Sequence, residues 1–410
     1  MTLVQKRYTH KQGEVDYVQA ISDVFVIVLL VVVCNIKDSV KNAEPFILVL
    51  FFIPTFINAY LKRRKVRGLT FWAVVFYGYC LTSLLWTIAP YTYYTAYLKT
   101  VLVILTITLY ISDMREVDMI LKGFLLSTAI LLFRLLMSMP LDQLGSSRLG
   151  SSIGINENIV GMYFLFASTI CIYYTKKAKI YYFPYIIFLL MTLLSGSRRA
   201  LALTLLVVIV FYINSIKKVS NVIYIIPFGV LFFLVIDLTM NNPILYQVIG
   251  RRVTGLINML TGEGKVDNST LVRMDLIQIG VELFKEKMWI GHGANSYRFL
   301  NKYSLYSHNN YIELLVNHGI IGLVLYYIMP LMILMQLARI WLYKTREVII
   351  AILFIVVIIV GDYGNVSFYS STEIIFICIS YCMAVFHSET PQYADLKKAS
   401  KSKPSDINFA

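Results

Sequence analysis

Twelve apolar runs, most of them long enough to cross a bilayer, leave this chain few folds to choose from. They lie near 20–35, 46–60, 69–88, 93–111, 118–137, 156–175, 180–195, 200–214, 221–239, 310–335, 347–361 and 372–387. Several reach only about 15–16 residues, short of the ~17–25 that a spanning helix uses, so the count is about twelve. Composition agrees: 58% of the residues are hydrophobic and 15% charged, where a soluble chain would carry about 25% charge. The expected fold is an all-α polytopic membrane protein of about 12 transmembrane helices. Residues 1–239 would hold helices 1–9, and 240–307 one large external loop between helices 9 and 10. Residues 308–410 would hold helices 10–12 and a basic cytoplasmic tail. No cleavable signal peptide is expected, because Lys6, Arg7 and Lys11 precede a run without a small-residue cleavage site.

Charge sets the orientation. With both termini cytoplasmic, 22 of the 37 Lys and Arg residues fall in inner segments, among them Lys62, Arg63, Arg64, Lys65 and Arg67 and four lysines of the tail. The short outer loops hold six: Lys37, Lys41, Lys99, Arg148, Arg198 and Arg199. The long loop, which the positive-inside rule discounts, therefore faces outward. Neither ATP nor sugar nucleotides are available there, so chemistry on that face must use a substrate already carried across. The net charge of +14 is mostly this topogenic signal. Its dispersal over separate loops argues against a nucleic-acid partner. Cys34, Cys80, Cys171, Cys378 and Cys382 lie inside or at the ends of apolar runs, so no disulfide or zinc framework is expected.

Along the early spans, Pro54 marks a kink and Tyr91, Tyr93, Tyr94 and Tyr97 an interfacial belt. Arg134 sits near the outer end of its run, where it either reaches the headgroups or meets a substrate. The segment Gly154-Ile155-Asn156-Glu157-Asn158 precedes a helix. It suits a tight turn with an N-cap, or a rim of hydrogen-bond donors for a polar substrate. Ser195-Gly196-Ser197-Arg198-Arg199 sets two arginines against the topology rule. At a helix N-terminus capped by Ser197 they would make a phosphate-binding corner, the other reading being lipid-headgroup binding.

In the long loop Leu271, Met274, Ile277, Val281, Phe284 and Met288 recur at helical spacing, predicting an amphipathic helix on the bundle or in the membrane interface. Its polar face reads as solvated except for Arg273. Gly291-His292-Gly293 breaks that helix. His308 then opens the tenth span, followed by Asn309 and Glu313 as an i,i+4 pair on one side. A carboxylate at the head of an apolar helix must be paired or lie in a wet cavity. His308 is either a cap or a catalytic base, whereas His292 and His318 read as structural.

The chain resembles the O-antigen polymerase/ligase superfamily of bacterial envelope proteins. Four segments carry the resemblance: Arg148 with Gly154 to Asn158; Ser195 to Leu201; Ser269-Thr270-Leu271-Val272-Arg273 opening a helix that runs toward Trp289 to Gly293; and His308-Asn309-Asn310-Tyr311-Ile312-Glu313 with Gly319 to Gly322. The resemblance implies a GT-C-like bundle and inverting glycosyl transfer on the outer face of the bacterial cytoplasmic membrane, with no cofactor and no metal. The donor it implies is an undecaprenyl-diphosphate-linked oligosaccharide. Arg198, Arg199 and Arg273 would hold the diphosphate, and His308 would be the base for the acceptor hydroxyl. Asn158, Asn309 and Glu313 would support them. Arg199 stands where small residues are common in the family, and Asn156-Glu157-Asn158 replaces a frequent proline-containing form.

Two reactions share that donor. A polymerase adds the glycan to another lipid-linked repeat of an O-antigen, capsule or exopolysaccharide; a ligase moves it to lipid A–core. The Tyr- and Ile-rich character of the chain favours the polymerase. Membrane lipids are a further partner, and a chain-length regulator and a flippase are plausible associates. Twelve spans also suit a polysaccharide flippase or transporter, but the two similar halves usual in transporters are not evident.

Overall fold

The computed structural model describes residues 17–35, 44–61, 67–112, 117–138, 149–150, 153–215, 268–341 and 345–388, with scattered residues between 237 and 254. The ninth run, most of the long loop before 268, Arg148 and both chain ends lie outside the described residues.

Among the described residues the protein is all-helical. The helices are α1 (Tyr17–Asn35), α2 (Glu44–Leu61), α3 (Gly68–Thr82), α4 (Tyr94–Ile111), α5 (Asp118–Ser138), α6 (Glu157–Tyr174), α7 (Tyr182–Leu194) and α8 (Arg198–Ser215). After them come α9 (Asn268–Glu286), a single turn at Tyr297–Leu300, α10 (Asn310–Arg339), α11 (Arg346–Gly361) and α12 (Ser371–Ser388). Every apolar run outside 221–239 forms a helix. Among the described residues, four segments are long and apolar enough to cross a membrane: Gly68–Leu85, Tyr91–Ile111, Asp118–Ser138 and Asn310–Arg339. The 13 residues of α7 rise only about 20 Å, less than the ~30 Å hydrocarbon core. The protein is multi-pass.

The centre is built from α6, α11 and α12, whose side chains are buried over nearly their whole length. Phe166 stacks on Phe376 at 4.0 Å between ring centroids, and Phe354 and Phe124 close on the same ring. Such helices are apolar all round because other helices surround them. On the outer helices Phe71, Leu126, Phe133, Ile186, Val324 and Met335 stay exposed. In water that much apolar surface would be a liability; against acyl chains it costs nothing.

One break in α10 positions the outer segments. Gly319 has φ 66° and departs from helical geometry, which frees carbonyls ahead of it. His292 N–H donates to Val316 O at 2.8 Å and Gly293 N–H to Asn317 O at 2.9 Å, while Ile320 N–H donates back to Met288 O at 2.8 Å. The stretch 288–293 is thus zipped onto the break. Glycine is required by close approach: a Cβ on Gly319 would lie 2.1 Å from Trp289 O, and one on Gly293 2.4 Å from Thr87 Cα. Thr87 in turn donates to Ala294 O at 2.5 Å. His318 is buried between Ser83 Oγ at 3.2 Å and Tyr97 Oη at 3.4 Å, the structural role expected for it. Tyr97, expected in an interfacial belt, is instead buried, whereas Tyr91 is exposed.

α9 lies on the bundle, one of its two expected placements, but only Ile277 and Phe284 of the apolar residues marked by spacing pack there. It docks through Leu276 and Gly280 against Tyr297, Ile312 and Val316, while Leu271, Met274, Val281 and Met288 remain exposed. The docking face has to be small for backbones to approach: a Cβ on Gly280 would meet Ile312 Cγ2 at 2.2 Å.

Candidate functional site

The starts of α6, α8, α10 and α12, the end of α11 and the first turns of α9 all reach one end of the bundle. A pocket there is lined by Glu157, Asn158, Ser195, Gly196, Arg198, Arg199, Ser269, Arg273 and Gly364. Segments far apart in sequence therefore supply three guanidinium groups to one opening.

Local capping aims these groups. Asn156 N-caps α6, its side chain accepting from Asn158 N–H at 2.9 Å, so the turn reading of this segment holds while Glu157 and Asn158 also line the pocket. Ser197 Oγ accepts from Ala200 N–H at 3.3 Å, capping α8 one residue before Arg198. Both arginines then sit in a first turn whose N–H groups and dipole favour an anion. Arg198 Nη2 donates to Thr270 Oγ1 at 3.1 Å, tying α8 to α9. Arg199 Nη2 donates to Asn158 O at 3.4 Å, but its buried Nε and Nη1 have no hydrogen-bond partner among the described residues. Buried donors left unpaired are costly, and a guanidinium aimed into a pocket is satisfied by an acceptor that the pocket binds.

His308 lies beside this opening without lining it. It precedes the α10 N-cap rather than starting the helix, as the sequence had implied, with φ 55° and its ring 4.0 Å from that of Tyr306. Burial, then the positive charges of Arg273 and Arg199, push its pKa down to about 4, so the imidazole is neutral at pH 7. A neutral imidazole accepts a proton. Neither ring nitrogen is hydrogen-bonded among the described residues.

The expected Asn309–Glu313 pair does not form; the two side chains divide their work. Asn309 N-caps α10, accepting from Ile312 N–H at 3.1 Å, and its Nδ2 donates to Tyr363 O at 3.3 Å. Glu313 turns back beneath the loop: Oε2 accepts from Ser307 N–H at 2.7 Å and Oε1 from Asn317 Nδ2 at 3.1 Å. Asn317 Oδ1 accepts from Tyr297 N–H at 2.8 Å. Glu313 therefore fixes the residue next to His308 and does not touch the pocket, because an i,i+4 spacing sets direction but leaves partner choice to the surrounding loops.

Four residues near the opening were given no role by sequence reasoning, although Asn310 stood in a matched segment. Asn310 is fully buried; its Nδ2 donates to Asp362 Oδ2 at 3.2 Å and to Tyr327 Oη at 2.9 Å, and its Oδ1 accepts from Ser367 and Phe368 N–H. Tyr327 Oη donates to Asp362 Oδ2 at 2.6 Å. Burial raises the Asp362 carboxyl to about 8, against the pull of its hydrogen bonds and of Arg199. Glu373 accepts from Asn365 Nδ2 at 2.9 Å and from Ser370 Oγ. Glu373 and then Asp362 are the carboxyl groups whose charge acts on Arg199. The available signal was a carboxyl group at each end of the segment joining the last two apolar runs.

His292 is buried and structural, its Nε2 2.9 Å from Leu283 O. Asp275 pairs with Lys302 at 2.7 Å and accepts from Tyr303 Oη at 2.5 Å, which pins α9 to the segment after it.

A family model described as O-antigen ligase matches residues 183–327. The matched stretch takes in Arg198, Arg199, Arg273, His308 and Glu313 and stops short of Asp362. No curated protein matches the chain.

Proposed function

Starting from the match of residues 183–327 to a family model described as O-antigen ligase, we propose that this membrane protein is a polymerase of a bacterial surface polysaccharide. In this reading it transfers undecaprenyl-diphosphate-linked glycan onto another lipid-linked repeat. The site lies on the outer face of the cytoplasmic membrane, within an about twelve-span bundle whose termini are cytoplasmic. The observation that carries the reading is the meeting of Arg198, Arg199 and Arg273 in one pocket beside a neutral His308.

The chemistry follows from charge. The bond from the anomeric carbon to the diphosphate oxygen breaks, and the electron pair leaves on the diphosphate. Guanidinium groups already in place stabilise that charge without reorganisation. An acceptor hydroxyl forms the new glycosidic bond, with inversion, and its proton passes to His308. Glu313 and Asn309 fix the loop that carries the imidazole, and placement of that kind is worth orders of magnitude in rate. The Asn158 carbonyl holds Arg199.

The description of the family model favours a second reading, transfer of the glycan to lipid A–core. Both reactions break the same bond, so the donor site serves either, and transport is the remaining alternative. The test is purified protein in nanodiscs with a lipid-diphosphate-linked repeat and no nucleotide or gradient. Lengthened lipid-linked glycan is the expected product; glycan appearing only on added lipid A–core identifies a ligase, and an unchanged repeat rejects glycosyl transfer.

A further inference from the structure

The exposed apolar stripe of α9 calls for an occupant. Around the helix axis three sectors follow one another. Leu276 and Gly280 face the bundle. Leu271, Met274 and Val281, with Met288 just past the helix end, form an exposed and largely apolar stripe, Leu271 at 51% and Met274 at 57% accessibility, in which Gln278 and Lys285 are also exposed. A lysine on such a face lays its stem on apolar surface and sends its ammonium to the headgroups. Asp275, Glu282 and Glu286 occupy the remaining arc, where Asp275 is tied to Lys302. A helix on a water-exposed bundle surface needs two sectors, one packed and one polar. A third sector, apolar and uncovered, fits a helix lying at a lipid boundary.

The position of the helix end agrees. Beyond it, Trp289 is 68% exposed and Ile290 is exposed beside it. That segment is fixed to a membrane span: Tyr79 Oη donates to His318 O at 2.9 Å and reaches Ile290 O at 3.5 Å, and Tyr79 lies within the span Gly68–Leu85. Gly293 packs on Thr87, just past the end of that span. At the span's tip Leu85 and Ile88 are themselves exposed. The exposed apolar residues just past α9 thus lie against the end of a candidate membrane span whose own tip is exposed and apolar.

We propose that the Leu271–Met274–Val281–Met288 face of α9, with Trp289 and Ile290, is seated at the headgroup–acyl boundary of the leaflet on the pocket side. Membrane lipid is then a structural partner of the site, because the same helix carries Arg273 on a neighbouring sector. Rotation of α9 is fixed from two sides, by Ile312 against Gly280 and by lipid against the stripe. This rests on the membrane character of the protein and not on its glycan chemistry.

Nitroxide labels on the full-length protein in phospholipid nanodiscs test it. The described native cysteines are buried, so Met274→Cys, Met288→Cys and Glu282→Cys provide exposed labelling points. Labels at 274 and 288 should be several-fold more accessible to dissolved oxygen than to a water-soluble nickel chelate, and the label at 282 should show the reverse. Chelate accessibility at 274 and 288 equal to that at 282 would overturn the proposal, whatever activity the protein has.

Discussion

His308 is held in a left-handed backbone conformation that costs a non-glycine residue about 1–2 kcal/mol, beside two cations that disfavour its protonation. Its position makes a pH prediction with a definite sign. In the free protein the imidazole loses its proton above about 4, so the acid limb of kcat/KM attributable to His308 falls near 4 rather than at 6.5. A bound diphosphate offsets Arg273 and Arg199 and raises that pKa, so the acid limb of kcat lies higher. An acid limb of kcat/KM at 6.5 in the native enzyme would contradict this environment. His308→Ala itself should abolish product with expression unchanged, and full activity would remove the residue from the mechanism. Arg273→Lys keeps the charge but loses the planar fork, and kcat/KM should drop by on the order of tenfold or more. Asp362→Ala leaves one Asn310 Nδ2 N–H and the Tyr327 hydroxyl proton without their acceptor, while the Asn310–Tyr327 bond remains, at about 1–3 kcal/mol for each donor left unpaired. Asp362→Asn should retain more stability, because the raised pKa keeps much of the native carboxyl protonated at neutral pH; equal loss on thermal unfolding would argue for an obligatory carboxylate.

Among the elements, the broken helix α10 and the docked helix α9 decide where the charged groups stand. Gly319→Ala adds a Cβ 2.1 Å from Trp289 O at a positive φ. It should destabilise the protein by about 1–3 kcal/mol, read as a lowered unfolding temperature in nanodiscs. Gly280→Val should push α9 off Ile312, carrying Arg273 out of the pocket; activity should fall more than expression, and an active variant would show that α9 tolerates displacement. Much of this scale was legible in sequence, since the apolar runs coincide with helices and Ser197 caps where expected. The packing of α9 was not. An amphipathic pattern tells which residues avoid water, but lipid and protein core satisfy an apolar side chain equally well.

For the whole molecule, the reading is a one-sided machine in a bilayer, with the polar groups of the pocket gathered at one end. At the other end Lys177 pairs with Asp118 at 2.8 Å, and Arg346 donates to the carbonyls of Ile172 and Tyr173. Deleting the gene in its host should leave single-repeat glycan if the protein polymerises; polymer stranded on its carrier would indicate a ligase. Chelation by EDTA should leave purified activity unchanged if arginines alone offset the leaving charge, and loss that divalent ions restore would count against that.

The sequence by itself determined the helices, because runs of apolar side chains in a hydrocarbon medium have almost no other way to satisfy their backbone. Position in the chain, together with the family resemblance, also marked Arg198, Arg199, Arg273 and His308 as the candidate site. Only the tertiary structure decided that the three arginines share one pocket, and that Glu313 serves Ser307 rather than Asn309. Only there do Glu373 and Asp362 come within electrostatic reach of Arg199. Those pairings join residues far apart in the chain. Partner choice across such distances depends on how helices pack, which local periodicity does not encode.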